Sequence, residues 1–129
     1  MVGSDRRMAA PLKILFVCGQ NKRRSPTAER IFKGDPRMQV RSAGISDSSK
    51  RRLTAGDLAW ADLVLVMQRK YAARIKVAFK DIDPLPSMES LDIGDDYIFM
   101  DKGLINILRS SVDGALEAYY EEKNPTEES

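Results

Sequence analysis

The chain of 129 residues contains no histidine. That absence removes imidazole acid–base chemistry, Ser–His and Cys–His nucleophile pairs and histidine-ligated metal sites. There is one cysteine, Cys18. An internal disulfide and any CxxC redox or zinc motif are excluded, and a lone thiol fits a reducing, cytoplasmic compartment. No apolar run approaches the ~18 residues of a membrane span. Residues 1–11 hold Arg6 and Arg7 but no apolar stretch, so they do not read as a secretory signal. Aromatic residues make up only 7%, and no ladder of stacking rings accompanies the basic ones. The expectation is a monomer with no metal, no cofactor, and neither membrane nor nucleic acid as partner.

What is present suffices for one domain, since hydrophobic residues make up 43% of the chain. Net charge is only +2, yet residues 1–80 carry 18 Lys and Arg against 6 Asp and Glu, while residues 81–129 carry 3 against 13. Such a split suits a basic face for nucleic acid, a basic site for an anionic ligand, or two halves whose charges are simply solvated.

Leu12–Val17 (LKILFV) is a short apolar run, β-branched and aromatic, and predicts a buried strand. Ser25-Pro26 predicts a helix start, with Ser as cap and Pro at the first helical position, and Gly34 with Pro36 ends that helix near Lys33. Met38–Ala43 reads as a second strand. Thr54 and Asp57 stand at capping-box spacing, and Leu53 and Leu58 at staple spacing, which predicts a short helix. Asp62–Met67 reads as a third strand, residues 68–79 as a helix with Tyr71, Ile75 and Phe79 on one face, and Leu91–Ile93 as a short fourth strand. Asp101 is expected to cap a last helix that buries Leu104, Leu108, Val112, Ala115 and Tyr119. Apolar strands alternating with helices imply an α/β fold. The expected architecture is a single domain over residues 12–120, a four-stranded parallel sheet with helices on both faces, and a phosphate-binding loop after the first strand. Residues 1–11 read as a flexible N-terminal arm and 121–129 as an acidic tail.

The chemistry lies in Cys18-Gly-Gln-Asn-Lys-Arg-Arg24-Ser25-Pro26, which joins the carboxyl end of the first strand to a helix N-terminus. Ligands of open α/β sheets bind at that end. A helix N-terminus offers unpaired N–H donors and a partial positive charge, and a loop folded there into a nest binds a tetrahedral anion. The same donors favour the thiolate of Cys18, a nucleophile that needs no histidine. Arg24 can set its planar fork against two phosphate oxygens, and Ser25 can donate to the sulfur and help it leave. Taken alone, Cys18 also reads as a buried structural thiol. Cys, five residues, then Arg-Ser-Pro at a strand–helix junction is far more specific.

On these residues the sequence resembles the low-molecular-weight protein tyrosine phosphatases, as a short variant. The signature Cys–x5–Arg–Ser–Pro–x–Ala–Glu reads Cys18 to Glu29. Val40-Arg-Ser42-Ala43-Gly44 resembles the family's Ser-Ala-Gly strand end, Asp62–Met67 its third strand and Leu91–Tyr97 its acid loop. The resemblance implies a cysteine-dependent phosphomonoesterase that hydrolyses protein phosphotyrosine, or an aryl phosphate, through a phosphocysteine. It implies Cys18 as nucleophile and Arg24 as the phosphate-binding arginine. It implies Asp95 as the general acid that protonates the leaving oxygen and then activates water, with Asp96 the other candidate. Gly19, Gln20, Asn21, Lys22, Arg23 and Ser25 are expected at the substrate, with Asn21, Ser25 and Ser42 bracing the loop and Tyr97 beside the substrate ring. From the residues alone, Asp92, Asp95, Asp96 and Asp101 also read as a solvated acidic loop, and Tyr97 as a half-buried loop tyrosine.

Several positions depart from the family pattern. Gln20 stands where a glycine is usual, and would be strained if the loop needed positive φ there. Arg23 stands where many members carry a second cysteine, so an oxidised Cys18 has no internal thiol to trap it. Lys22, Arg23 and Arg24 line the expected mouth, which suits substrates with acidic residues near the phosphate. The segment between Gly44 and Ala61 is short, and Trp60 reads either as a wall of the groove or as a packed core residue. Asp96 replaces the proline after the acid. Three other readings compete: an arsenate-reductase-like enzyme using an external thiol, a sugar-transport phosphocarrier, and a non-enzymatic binder of phosphopeptide or nucleic acid.

Overall fold

A computed structural model describes residues 10–123. Most of the expected N-terminal arm (residues 1–9) and of the acidic tail (residues 124–129) lies outside the described residues. The elements alternate as β1 (Leu12–Cys18), α1 (Arg24–Phe32), β2 (Met38–Gly44), α2 (Ala55–Trp60), β3 (Leu63–Val66), α3 (Arg69–Ala78), β4 (Ser87–Ser90) and α4 (Lys102–Lys123). The strands form one parallel sheet in the order β2-β1-β3-β4.

The two central strands are buried on both faces, from Ile14 to Val17 and from Leu63 to Val66, which is why they read as continuous apolar runs. Helix α1 packs on β1 and β2 and touches α4. Helices α2 and α3 lie against β1 and β3 respectively, and the right-handedness of parallel crossovers puts them on the opposite face. The chain leaves β1 toward β2 on one side and returns to β3 on the other. The strand order therefore reverses at β1, and a crevice opens beyond the carboxyl ends of β1 and β3. Cys18 is the last residue of β1. Among the described residues no helix is long and apolar enough to cross a membrane.

Three expectations are corrected in detail. Helix α1 begins at Arg24 rather than after Ser25, and Arg23 at its cap makes no side-chain capping bond. Ser25 is inside the helix because its hydroxyl is engaged at Cys18 instead of a backbone amide. Strand β4 is Ser87–Ser90, not Leu91–Ile93. Leu91 and Ile93 still donate amides to Val66 and Met67 (both 2.8 Å), but Asp92 between them has φ 55°, and a left-handed residue ends an extended strand. In α4 the buried stripe ends on Ala115 and Leu116, with Tyr119 only half-buried, and the helix continues to Lys123 through the first residues of the expected tail. Asp101 does cap α4, accepting the Leu104 amide at 3.0 Å.

The capping box at α2 forms as its spacing indicates. Thr54 accepts the Asp57 amide, and the Asp57 carboxylate accepts the Thr54 amide. Asp57 is buried, at 2% exposure, and also takes Arg51 at 2.7 Å and Arg41 at 3.2 Å. Burial pushes its carboxyl up, but the hydrogen bonds from Arg51 and the Thr54 amide outweigh that and hold it below the usual carboxylate range. A carboxylate held low in the folded state stabilises the protein above its unfolded value near ~3.9, and that contribution is lost as pH falls through the folded value. Both arginines are near half-exposed, so solvent weakens the pairs. Asp57→Ala should therefore cost about 1–3 kcal/mol at pH 7 in urea unfolding, most of it from the cap. The difference from wild type should shrink as pH falls below ~4 and through the lower folded value, where Asp57 becomes protonated in the native state as well.

Candidate active site

The loop Gly19–Arg23 spans the gap between β1 and α1. Its orientation is set from outside. The carbonyls of Cys18, Gly19 and Gln20 accept the amides of Ile45, Ser46 and Lys50 at 3.1, 2.9 and 3.1 Å. The amides of Gly19 through Arg23 donate to no other group among the described residues. Helix α1, uncapped by any side chain, adds its own free first-turn amides. The result is a concave row of N–H donors at the positive end of a helix, which is an anion nest.

The positive φ of this loop falls on Asn21 (54°), not on Gln20, so the glutamine is not strained. Asparagine tolerates the left-handed region better than most side chains. Gly44 lets the end of β2 come close, because a Cβ there would lie 2.9 Å from the Asn21 amide nitrogen.

Beneath the loop runs a directed chain of hydrogen bonds. Ser42 donates to Glu29 at 2.5 Å, which fixes its proton. Its oxygen is then free to accept one Asn21 amide hydrogen, and Ser25 accepts the other, both at 3.0 Å. Ser25 is left with its hydroxyl hydrogen, and Cys18 Sγ lies 2.9 Å from that oxygen, nearer than the Ala43 carbonyl at 3.4 Å. The order of donors points the Ser25 proton at the sulfur.

Arg24 is buried, at 5% exposure, yet touches no carboxylate among the described residues. One terminal nitrogen, Nη1, donates to Gln68 Oε1 at 2.8 Å and to the Ile93 carbonyl at 2.7 Å, and Nη2 donates to the Tyr71 hydroxyl at 3.1 Å. Its Nε and the remaining Nη2 hydrogen have no partner among the described residues, and they form one edge of the guanidinium, suited to two oxygens of a tetrahedral anion. The Ile93 contact also ties the loop to the segment that follows β4.

These groups surround a cavity of about 470 Å³ lined by Cys18, Gly19, Gln20, Lys22, Arg23, Arg24, Ser46, Lys70, Tyr71, Arg74 and Asp95. Most of the expected site residues meet here. Asn21, Ser25 and Ser42 lie behind the loop as its brace. Asp95 lines the cavity and Asp96 does not. Of the other acids, Asp92 is held by Ser90 (2.7 Å) and Arg69 (3.3 Å), with its carboxyl below the usual range chiefly through the Ser90 hydrogen bond, and Asp101 caps α4. Tyr97 is half-buried against the core near Gly103, as its reading as a loop tyrosine has it, and the aromatic that lines the cavity is Tyr71. Trp60 does not form a wall; its half-buried ring lies under Arg41, 4.2 Å from the guanidinium carbon. Tyr71, Gln68 and Glu29 were not among the site residues expected from sequence. Tyr71 lies on the buried face of its helix, and the signal for its part in the site is its hydroxyl, since a buried tyrosine O–H needs a partner.

The model of the family "Low molecular weight phosphotyrosine protein phosphatase" matches residues 13–56, from β1 through the loop to the start of α2. Among solved structures, YwlE arginine phosphatase from Geobacillus stearothermophilus superposes with a TM-score of 0.68 at 22% identity, over 91% of this chain and 98% of that one. The chain shares the fold of that structure, and the family match covers the loop segment. SP-PTP, a low molecular weight protein tyrosine phosphatase from Streptococcus pyogenes, gives 0.67 at 18% identity over 83% and 92% of the two chains. The tyrosine phosphatase Wzb from Escherichia coli K30, in complex with phosphate, gives 0.65 at 18% over 82% and 96%. No curated protein sequence matches the chain. The family match ends before α3 and the Asp95 segment, so those parts rest on the fold and on their own geometry.

The brace makes a measurable demand on the backbone. Asn21→Ala should destabilise the protein by about 2–4 kcal/mol, from the left-handed conformation and from unpaired serines beneath the loop. Asn21→Gly should recover about 1–2 kcal/mol of that by relieving the backbone alone. Urea unfolding of the two variants separates the contributions.

Proposed function

We propose that the protein is a cysteine-dependent phosphomonoesterase that hydrolyses phosphotyrosine through a phosphocysteine intermediate. The observation that supports it most directly is the convergence of Cys18 Sγ, the unpartnered loop amides and the open edge of Arg24 on one cavity. The phosphate seats in the nest with two oxygens on Arg24, and the loop amides take the charge of the equatorial oxygens as it develops. Cys18 sulfur attacks phosphorus, the S–P bond forms, and the P–O ester bond breaks. Asp95 gives its proton to the departing tyrosyl oxygen. Asp95 then takes a proton from water, whose oxygen attacks phosphorus. The S–P bond breaks, inorganic phosphate leaves, and the sulfur returns as thiolate with the Ser25 hydroxyl donating to it. The same reading makes the enzyme a cytoplasmic monomer acting on phosphoprotein, consistent with its lone thiol.

The charges around the cavity support phosphotyrosine over phosphoarginine as substrate, a tyrosyl oxygen rather than a guanidine being the leaving group. Lys22, Arg23, Lys70 and Arg74 line it against one carboxylate, Asp95. A guanidinium would meet like charges there, and a neutral phenol would not.

Purified protein should release phosphate from p-nitrophenyl phosphate and from phosphotyrosine peptides in EDTA, and Cys18→Ser should abolish release. Asp95→Asn should lower kcat/KM about 10²–10⁴-fold on tyrosyl peptides, the usual scale for an acid–base group, and less on p-nitrophenyl phosphate, whose leaving group needs no proton. Asp96→Asn should be near neutral. Turnover that persists in Cys18→Ser, or equal losses for both aspartates, would refute the mechanism, and phosphoarginine peptides hydrolysed faster than phosphotyrosine ones would refute the substrate assignment.

A further inference from the structure

Four cations, Lys22, Arg23, Lys70 and Arg74, line the cavity against a single carboxylate, Asp95. Arg37, Arg41, Arg51, Arg52 and Arg69 each pair with an aspartate within 3.3 Å. Lys22, Arg23, Lys70 and Arg74 form no ion pair among the described residues, although Arg69 is the neighbour of Lys70. Two of the four sit on the loop beside the nest. The other two, Lys70 and Arg74, sit four residues apart on α3, and i,i+4 side chains stand side by side on one helix face. Like charges so placed repel, and neither lies within ion-pair distance of a carboxylate among the described residues.

Seating the phosphate does not use this pair. The loop amides and the Arg24 edge suffice for one tetrahedral anion, and the rest of the cavity extends along α3. We propose that Lys70 and Arg74 form a second-anion subsite, so that the enzyme selects phosphotyrosine with an acidic residue adjacent to it in the peptide. The proposal rests on the phosphatase reading above and adds a substrate class to it. Consecutive Cα atoms lie 3.80 Å apart across a trans peptide, so a glutamate next to the phosphotyrosine places its carboxylate within reach of the rim. Lys70 is exposed at the rim, and its nitrogen lies over the Tyr71 ring, 5.5 Å from the centroid. Lys22 and Arg23 extend the same field on the loop side, and its pull is screened by salt.

The test compares kcat/KM for three synthetic phosphotyrosine peptides that differ only in flanking residues, Glu, Ala or Lys, at low and at high salt. Wild type should prefer the Glu peptide over the Ala peptide about fivefold to tenfold at low salt, with the preference shrinking at high salt. The double variant Lys70→Ala/Arg74→Ala should bring that ratio near one, and Lys70→Glu/Arg74→Glu should shift preference to the Lys peptide. Lys76→Ala, a control on the same helix but away from the cavity, should keep the wild-type ratio. A wild-type ratio of one, or a ratio that survives the double variant, overturns the subsite while leaving the phosphatase intact. If no substrate turns over, p-nitrophenyl phosphate included, the phosphatase reading is what has failed. Anisotropy binding of the same peptides to Cys18→Ser protein then still reads the subsite: Glu-peptide preference supports it, and equal binding ends it.

Discussion

Between Cys18 and Arg24 the backbone turns its carbonyls outward, onto the amides of Ile45, Ser46 and Lys50, and leaves its own amides unpartnered. Buried or half-buried amides without partners are costly, and the fold tolerates them only because something else holds the loop rigid. That support is the segment after β2, the close approach at Gly44 and the left-handed Asn21. With the loop so held, the position of the sulfur at the end of β1 and the direction of the Ser25 hydroxyl follow. An anion is the partner that such a loop lacks.

Arg24 obeys a related constraint. Five other arginines, Arg37, Arg41, Arg51, Arg52 and Arg69, pair with aspartates, whereas this one is buried among neutral acceptors: an amide, a carbonyl and a phenol. Neutral partners fix the guanidinium in place without cancelling its charge, so the full charge remains for a ligand. The Ile93 carbonyl has a second use. It belongs to the segment that carries Asp95, and its bond to Arg24 ties the guanidinium to the segment whose carboxylate lines the same cavity.

How far the residues foretold this differs from element to element. The central strands were legible because both faces are buried and the apolar run is unbroken. Helix α2 was legible because a capping box is a contact between residues three apart. Helix α1 misled: Ser25-Pro26 has the local form of a cap, but the hydroxyl is drawn to Cys18, and the helix starts two residues earlier, uncapped. The end of β4 misled because one left-handed residue, Asp92, interrupts a stretch whose amides still bond to the neighbouring strand. Tyr71 is buried on its helix face as the pattern indicates, but that its hydroxyl reaches Arg24 and its ring lines the cavity is not legible from an apolar stripe.

By itself the sequence determined the sheet class, the strand–loop–helix junction and the cysteine–arginine spacing within it, because each depends on residues near one another along the chain. Only the tertiary structure decided that Gln68 and Tyr71 hold Arg24, that Glu29 orients the serine chain from 13 residues before Ser42, and that Lys70 and Arg74 share a cavity with the cysteine. Those contacts join segments far apart in the chain. What brings them together is the burial of the central strands and the reversal of strand order at β1, and no local pattern records either.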